Sequence, residues 1–313
     1  MLSVILTSYK EEKTIAKAIE CLIDPDYTGY TGGIELLTVI PDEATLEAAK
    51  EAVEKLGFKH WINIKDPLRG KPYALNLALE KAKGDVLLLT DGDVYLGKDS
   101  IKKIIEHFDD DNVGGVTGRP ISSDDKNKFM GYIGHLLADA AHHKRQVTMS
   151  SSPAGKSLKI VSRSPHFFVL SGYILAMKNI DLRVPSDSLV EDAYLSYELH
   201  NKGYQLIYEP EATVYVKYAQ TIKDWYLQKL RSVGGYVQLW KYEVIKKDTK
   251  VRNFWKELEY FWFPLKYATN AKELFWSLIL YPMRLVLWIW IFYQQRIKKR
   301  NLAEGWERIE STK

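Results

Sequence analysis

The sequence has almost no cysteine. Cys21 is the single one in 313 residues, so no disulfide can close within the chain and a reducing compartment suits it. Excess positive charge is also missing: a formal net charge of +4 is too small and too diffuse to call for a nucleic-acid partner. The opening MLSVILTSYKEE has no basic n-region and too short an apolar run for a signal peptide, so it is expected to begin a strand and to stay on the cytoplasmic side. Internal repeats and low-complexity tracts are absent. With 46% hydrophobic and 27% charged residues, the composition is that of a globular protein and not of a disordered chain. Tryptophan is scarce early on. Trp61 stands alone before Trp225, and the others crowd the last third, which places a domain boundary near residues 218–222.

What is present alternates in period. Short apolar runs at Val4–Leu6, Glu35–Ile40, Trp61–Ile64 and Val86–Leu89 read as strands, each followed by apolar residues at helical spacing. Examples of that spacing are Ile15, Ala18, Ile19 and Leu22, and later Ile101, Ile104, Ile105 and Phe108. Such alternation predicts a mostly parallel sheet covered on both faces, with ligands outside the carboxyl ends of the strands. Beyond a strand at Val113–Gly118, the pattern predicts a helix over 129–145 and a loop over 148–160. A hairpin-like pair follows (Phe167–Leu170 and Ile174–Met177), then a helix over Glu191–Lys202 and strands near Gln205–Tyr208 and Thr213–Val216. The reading is an α/β catalytic domain over 1–220 and a helical region over 221–313.

Three constellations lie where ligands are expected. VLLLTDGDVYLG, residues 86–97, ends a buried strand with Asp91 and Asp93 flanking Gly92. Two carboxylates so close need a cation or solvent between them, and Asp and Gly are also ordinary turn residues. Mg2+ or Mn2+ would offset the repulsion and bring phosphate oxygens with it, and Gly92 would let a diphosphate approach the backbone. In RGKPYALN, residues 69–76, Gly70 and Lys71 precede a helix whose first turn suits Pro72, and Lys71 can meet an anion. It is no Walker A loop, lacking the first glycine and the hydroxyl residue after the lysine. In LVEDAYLSYELHNKGY, from residue 189, Glu191 and Asp192 open a helix. They serve either as dipole-favoured helix-start acids or as a general base with its neighbour.

Together these pieces resemble the family-2 glycosyltransferases of GT-A fold. The resemblance rests on TSYKEE after the first strand, an aspartate after the second, GK-x-x-ALN, the D-x-D and the E-D helix ending in GY. It covers about residues 2–235, and the helical, aromatic C-terminus resembles the membrane-associated, cellulose-synthase-like branch in shortened form. The resemblance implies that Tyr9 and Glu11 line a nucleotide pocket, Asp42 bonds the base, and Lys71 holds nucleotide or phosphate. It also implies that Asp91 faces ribose or metal, Asp93 ligates Mn2+ or Mg2+, and Asp192 is the catalytic base of an inverting transfer. Ser171, Gly172 and Glu191, with Gln228 and Arg231, would lie on the acceptor side. Processive relatives carry Q-x-x-R-W, whereas Ser232 follows Arg231 here, which argues against long polymers. Many relatives place a histidine after the strand following the E-D helix, where VYVKYAQT has only Lys217 nearby. The expected donor is a GDP- or UDP-sugar, with GDP-mannose ahead, and the expected acceptor is lipid-linked. A sugar-nucleotide nucleotidyltransferase would need a Gly- and Arg-rich loop where TSYKEEKT stands. An inactive scaffold would show a broken D-x-D or E-D pair, and both are intact.

The C-terminal third points to membrane lipids as partners. Residues 222–246 alternate aromatics with Lys and Arg, the pattern of an interfacial amphipathic helix, while 254–268 are too charged to span. Leu274–Tyr293 is long enough to span but holds Arg284 beside Pro282, and basic residues follow at 296–300. A single crossing conflicts with a cytoplasmic catalytic domain. The expectation is therefore a hairpin of 254–293 broken near Pro282, or an interfacial segment.

Overall fold

A computed structural model describes residues 1–150, 167–245 and 260–298. In chain order the elements begin with β1 (Leu2–Thr7), α1 (Ile15–Ile23), α2 (Pro25–Thr28), β2 (Ile34–Ile40), α3 (Glu43–Lys55) and β3 (Trp61–Lys65). Next come α4 (Lys71–Lys81), β4 (Val86–Asp91), β5 (Tyr95–Leu96), α5 (Ser100–Ile105), β6 (Val113–Ser122) and α6 (Phe129–Ser150). The series ends with β7 (Leu175–Lys178), α7 (Glu191–Asn201), β8 (Gln205–Val216), α8 (Ile222–Lys241), α9 (Phe263–Tyr267) and α10 (Ala271–Phe292). The described chain divides into two packed units, Met1–Ile121 with His142–Val216, and Ser122–Ala141 with Lys217–Lys313.

The first unit is built on one sheet in the order β3-β2-β1-β4-β7-β6-β8-β5. Strands β3, β2, β1 and β4 are mutually parallel. All six residues of β1 are buried, because helices cover both faces and leave no side for polar residues. Ile5, Leu37, Val39, Leu87 and Leu89 share a core with Leu75 and Leu79 of α4 and Leu195 and Leu199 of α7. The register sets Thr7 beside Asp91, so the ends of β1 and β4 form one rim. Strand β7 runs antiparallel to β4 with Leu175 opposite Leu89, which brings the start of β7 and the loop before it to that same rim.

Several elements differ from the sequence-based expectation, each for a physical reason. Phe167–Leu170 forms no strand: at its end Leu170 N–H donates to Ser196 Oγ at 3.0 Å, and the following Ser171 N–H to Thr117 Oγ1 at 3.0 Å, so side chains take the bonds a ladder would use. The two stretches around Pro210 are one strand, β8. Helix α6 runs on through Ser150, so the start of the expected 148–160 loop is helical, and the remainder lies outside the described residues.

In the second unit, Tyr132, Ile133 and Leu136 pack with Trp225 and with Leu280, Met283, Leu287 and Ile291 of α10. The break expected near Pro282 is absent: α10 continues through it, since losing one N–H donor removes a single rung of the ladder. Tyr226 Oη donates to the carbonyl of Met283 at 2.8 Å, next to that position. By length and composition α10 is apolar enough to cross a membrane, with a mean hydropathy of 1.7 over an 18-residue stretch. Its buried face is one stripe, and Phe275, Leu278, Leu285, Val286, Ile289 and Phe292 are exposed on the other. Residues 254–259 of the other expected hairpin arm, and 299–300 of the basic run, lie outside the described residues.

Candidate active site

The rim of the first unit gathers two carboxylates on one ammonium, with a third close by. Asp91 ends β4, where the strand delivers its side chain to the opening of the sheet. Thr7, at the end of β1, donates from Oγ1 to Asp91 Oδ1 at 2.8 Å. Lys71 is the first residue of α4, set there by Gly70 at φ +96°, a conformation that favours glycine, and followed by Pro72. Its Nζ lies 2.7 Å from Asp91 Oδ1, 2.8 Å from Asp91 Oδ2 and 3.1 Å from Glu191 Oε1. Burial alone would lower the Lys71 pKa. The carboxylates of Asp91 and Glu191 outweigh it and hold the ammonium above the ordinary lysine range.

Asp192 stands beside them at the start of α7. Its Oδ1 accepts from the Ala193 N–H at 2.8 Å and its Oδ2 from the Gly172 N–H at 3.3 Å. Burial, and then the charge of Glu191, push the Asp192 carboxyl above its usual range, against the opposing effects of those N–H groups and Lys71. A side chain at Gly172 would touch this carboxylate, its Cβ falling 3.3 Å from Oδ2. A small pocket opens here, lined by Thr7, Lys71, Thr90, Gly172, Glu191 and Asp192 over a floor that includes Leu75 and Leu195. A half-buried carboxyl with a raised pKa can take up a proton on a pocket wall.

The loop carrying Ser171 and Gly172 is clamped by hydroxyls that the sequence reading did not single out. Thr117 Oγ1 donates to the Ile174 carbonyl at 2.6 Å while accepting from Ser171 N–H. Thr90 Oγ1 donates to the Tyr173 carbonyl at 2.9 Å, and Ser196 Oγ donates to the Asp192 carbonyl at 2.6 Å. Ser196 thus ties the loop to the helix that bears Asp192. Nothing local marks these residues, since a threonine in a strand is ordinary and the contacts span distant parts of the chain.

The remaining residues of interest lie as follows. Glu11 is buried, accepting from Ser8 Oγ at 2.7 Å beneath Gly92. A Cβ at Gly92 would come within 2.4 Å of Ser8 Oγ and 2.6 Å of Glu11 Oε2, so this turn admits only glycine without a shift. Asp42 caps α3, its Oδ1 accepting from Thr45 N–H at 3.1 Å and Thr45 Oγ1 at 2.7 Å, while Oδ2 accepts from Lys10 N–H at 2.8 Å. Burial works against its ionisation, but these bonds hold its carboxyl below the usual range. Tyr9 is half-buried, with Lys10 Nζ 5.3 Å from its ring centroid. Asp93 is half-buried in the turn after β4, and burial together with its charge raises the Tyr95 hydroxyl. Ser171 is buried. Gln228 and Arg231 are half-buried on α8, in the second unit.

Among the described residues, no three His, Cys, Asp or Glu gather closely enough to hold a metal ion by themselves. The D-x-D still fits Mg2+ or Mn2+. These ions take hard oxygen donors and are commonly held by one or two carboxylates, with phosphate and water completing the shell.

Residues 3–175 match the family model described as Glycosyl transferase family 2, a span that holds Thr7, Lys71, Asp91 and Gly172. The chain belongs to this family. Among curated relatives, the poly-β-1,6-N-acetyl-D-glucosamine synthase of Staphylococcus epidermidis is 24% identical over 261 residues, 82% of this chain and 57% of that protein. The synthase of the same name from Staphylococcus aureus (strain COL) is 26% identical over 185 residues, 58% of this chain and 40% of its own length. This glycosyltransferase-family chain therefore spans about half the length of the relatives it matches. Among solved structures, mannosyltransferase PcManGT from Pyrobaculum calidifontis, in complex with GDP-Man and Mn2+, gives a TM-score of 0.57 at 15% identity, covering 96% of this chain and 81% of that one. S. aureus TarS 1-349 in complex with UDP gives 0.50 at 13% identity over 84% of this chain and 78% of that one. At these identities the likeness shows the fold, which is GT-A-like.

Proposed function

We propose that the protein is an inverting, metal-dependent hexosyltransferase that moves a sugar from a nucleoside-diphosphate donor to a hydroxyl or phosphate of a membrane lipid-linked acceptor. The observation that carries this reading is the Lys71 bridge, which brings the D-x-D end of β4 and the E-D start of α7 to one rim. Lys71, Glu191 and Asp192 line one pocket, and Asp91 reaches its edge through the Lys71 ammonium. Asp192, its carboxyl raised by burial and by Glu191, takes the proton of the attacking acceptor. Gly172 N–H fixes one of its oxygens, and both residues line the pocket that the acceptor would enter. Direct displacement with one base inverts the anomeric carbon. Asp91 and Asp93 would hold Mn2+ or Mg2+, which when bound neutralises the leaving diphosphate. Lys71 adds its charge to the same group, while Tyr9, Glu11 and Asp42 border the nucleotide. Gln228 and Arg231 are assigned to the acceptor by their match to the family motif.

GDP-mannose is the preferred donor, a reading supported by the mannosyltransferase of like fold. A UDP-linked N-acetylglucosamine is the second, favoured by the names of the sequence relatives. Thermal shift of detergent-purified protein with GDP, UDP or CMP, with and without Mn2+, tests both. One nucleoside diphosphate at a hundred times its Kd should add about 2.7 kcal/mol of stability, visible as a raised midpoint. The gain should vanish with EDTA or in Asp93→Ala. A flat response to every nucleotide with metal present would end the donor reading.

The lipid partner is read from the exposed stripe of α10. Lysines stack on aromatics in the same unit: Lys266 over Trp262 at 4.6 Å, Lys272 over Trp276 at 4.6 Å and Lys298 over Tyr293 at 5.5 Å. An apolar stripe with Lys–aromatic pairs suits the plane of an anionic bilayer. Floating the protein with vesicles containing phosphatidylglycerol should carry it to the top fraction. The double variant Phe275→Asp, Ile289→Asp should remain behind, and co-flotation of that variant would remove α10 from the assignment.

A further inference from the structure

We propose that Lys71 is a displaceable internal counter-cation of the D-x-D, which obliges divalent metal and nucleoside diphosphate to bind as one unit. The inference rests on the donor reading above and adds how the donor site is kept closed to metal alone.

Asp91 already has a cation at both of its oxygens. Both its oxygens face the Lys71 ammonium, at 2.7 and 2.8 Å, and Oδ1 also accepts from Thr7 Oγ1 at 2.8 Å. A divalent cation approaching Asp91 meets a positive charge where it would have to sit. Driving that charge away leaves the ammonium with Glu191 alone, at 3.1 Å, and close to an incoming ion of the same sign. Like charges at such range in a half-buried pocket repel strongly. Metal by itself therefore gains little.

A diphosphate changes the balance. It brings negative oxygens that can take the ammonium as well as the metal, so Lys71 moves from carboxylate to phosphate without losing a partner. The exchange needs no backbone motion. Lys71 is the first residue of the eleven-residue α4, and its flexible four-carbon stem swings from a fixed Cα. The diphosphate also arrives at the N-terminal end of that helix, where the dipole favours anions. Two ligands that each remove the obstacle to the other bind cooperatively, and the coupling is reciprocal.

The test is Mn2+ binding followed by the electron spin resonance of the free ion, in the wild type and in Lys71→Met. Each protein is titrated alone and with the nucleoside diphosphate that stabilises the wild type. In the wild type the nucleotide should tighten Mn2+ at least about tenfold, within the usual range of coupling. In Lys71→Met, Mn2+ alone should bind about tenfold tighter than to the wild type, the nucleotide should bind more weakly, and the coupling should shrink towards one. Lys71→Arg keeps the charge and should still exclude free Mn2+. Unchanged or weaker binding of Mn2+ alone in Lys71→Met overturns the proposal. So does a wild type whose Mn2+ affinity ignores the nucleotide, a readout that remains if the variant fails to fold. A wild type that binds no nucleotide with or without Mn2+ marks failure of the donor reading itself.

Discussion

Asp192→Asn should abolish sugar transfer and yet make the folded protein more stable at neutral pH. General acid–base groups typically contribute about 100- to 10,000-fold in rate, and Asn cannot take the proton that Asp192 is assigned. The stability change follows from the same environment. Burial, and then Glu191, raise the carboxyl in the folded state, whereas an unfolded aspartate titrates near ~3.9. Folding therefore favours the protonated form. Its stability is whole below the unfolded pKa and falls as pH rises through the folded one, so the ionised residue is a liability at pH 7. Asn removes that liability and keeps one acceptor oxygen, for the shorter bond from Ala193 N–H, at the cost of the 3.3 Å bond from Gly172 N–H. Melting curves of both proteins should differ most at neutral pH and converge below about pH 4. The acid limb of kcat/KM in the wild type should lie above the ordinary aspartate range, and Glu191→Gln should move it to lower pH. An Asp192→Asn protein with a tenth or more of wild-type turnover would transfer the base role elsewhere.

Gly118→Ala should be among the most damaging single-methyl additions in the first unit. An added Cβ at Gly118 would fall 2.1 Å from the carbonyl oxygen of Ala212 and 3.1 Å from its carbon. Those atoms are backbone of β8, which neighbours β6 in the sheet, so no rotamer change relieves the clash. The strands must separate. Overpacking of this kind costs about 1–3 kcal/mol or more, against roughly 0.4–1 kcal/mol gained by stiffening the unfolded chain. At about 2–4 °C per kcal/mol for a domain of this size, a net cost of about 2 kcal/mol should lower Tm by roughly 4–8 °C. Gly33→Ala is the matched control, because its Cβ would meet nothing nearer than Met1 Cγ at 3.8 Å. Equal melting of the two variants would mean that β6 and β8 lie further apart than described.

The sequence by itself determined the elements and the places where chemistry could stand. Apolar periods of two kinds mark the parallel strands and their helices, and the ends of those strands mark the rim, so Lys71, Asp91, Asp93 and Asp192 were legible as candidates. Local signals suffice there because strand, turn and helix start are set within a few residues. Tertiary structure alone decided which candidates meet. That Lys71 joins Asp91 to Glu191 depends on β4 lying next to β1 and on α7 packing over the same core, neither of which any short stretch encodes. The antiparallel course of β7, which carries Gly172 to Asp192, is equally a property of strand order. Thr90, Thr117 and Ser196 gain meaning only once distant segments are brought within hydrogen-bond reach. Helix α10 shows the limit from the other side. Its composition reads as a span with a breaker, but it packs against Tyr132, Leu136 and Trp225 as one continuous helix through Pro282, with one buried face. Pattern fixes what a segment can become, and the long-range contacts, which scale with area buried between distant parts of the chain, fix what it does become.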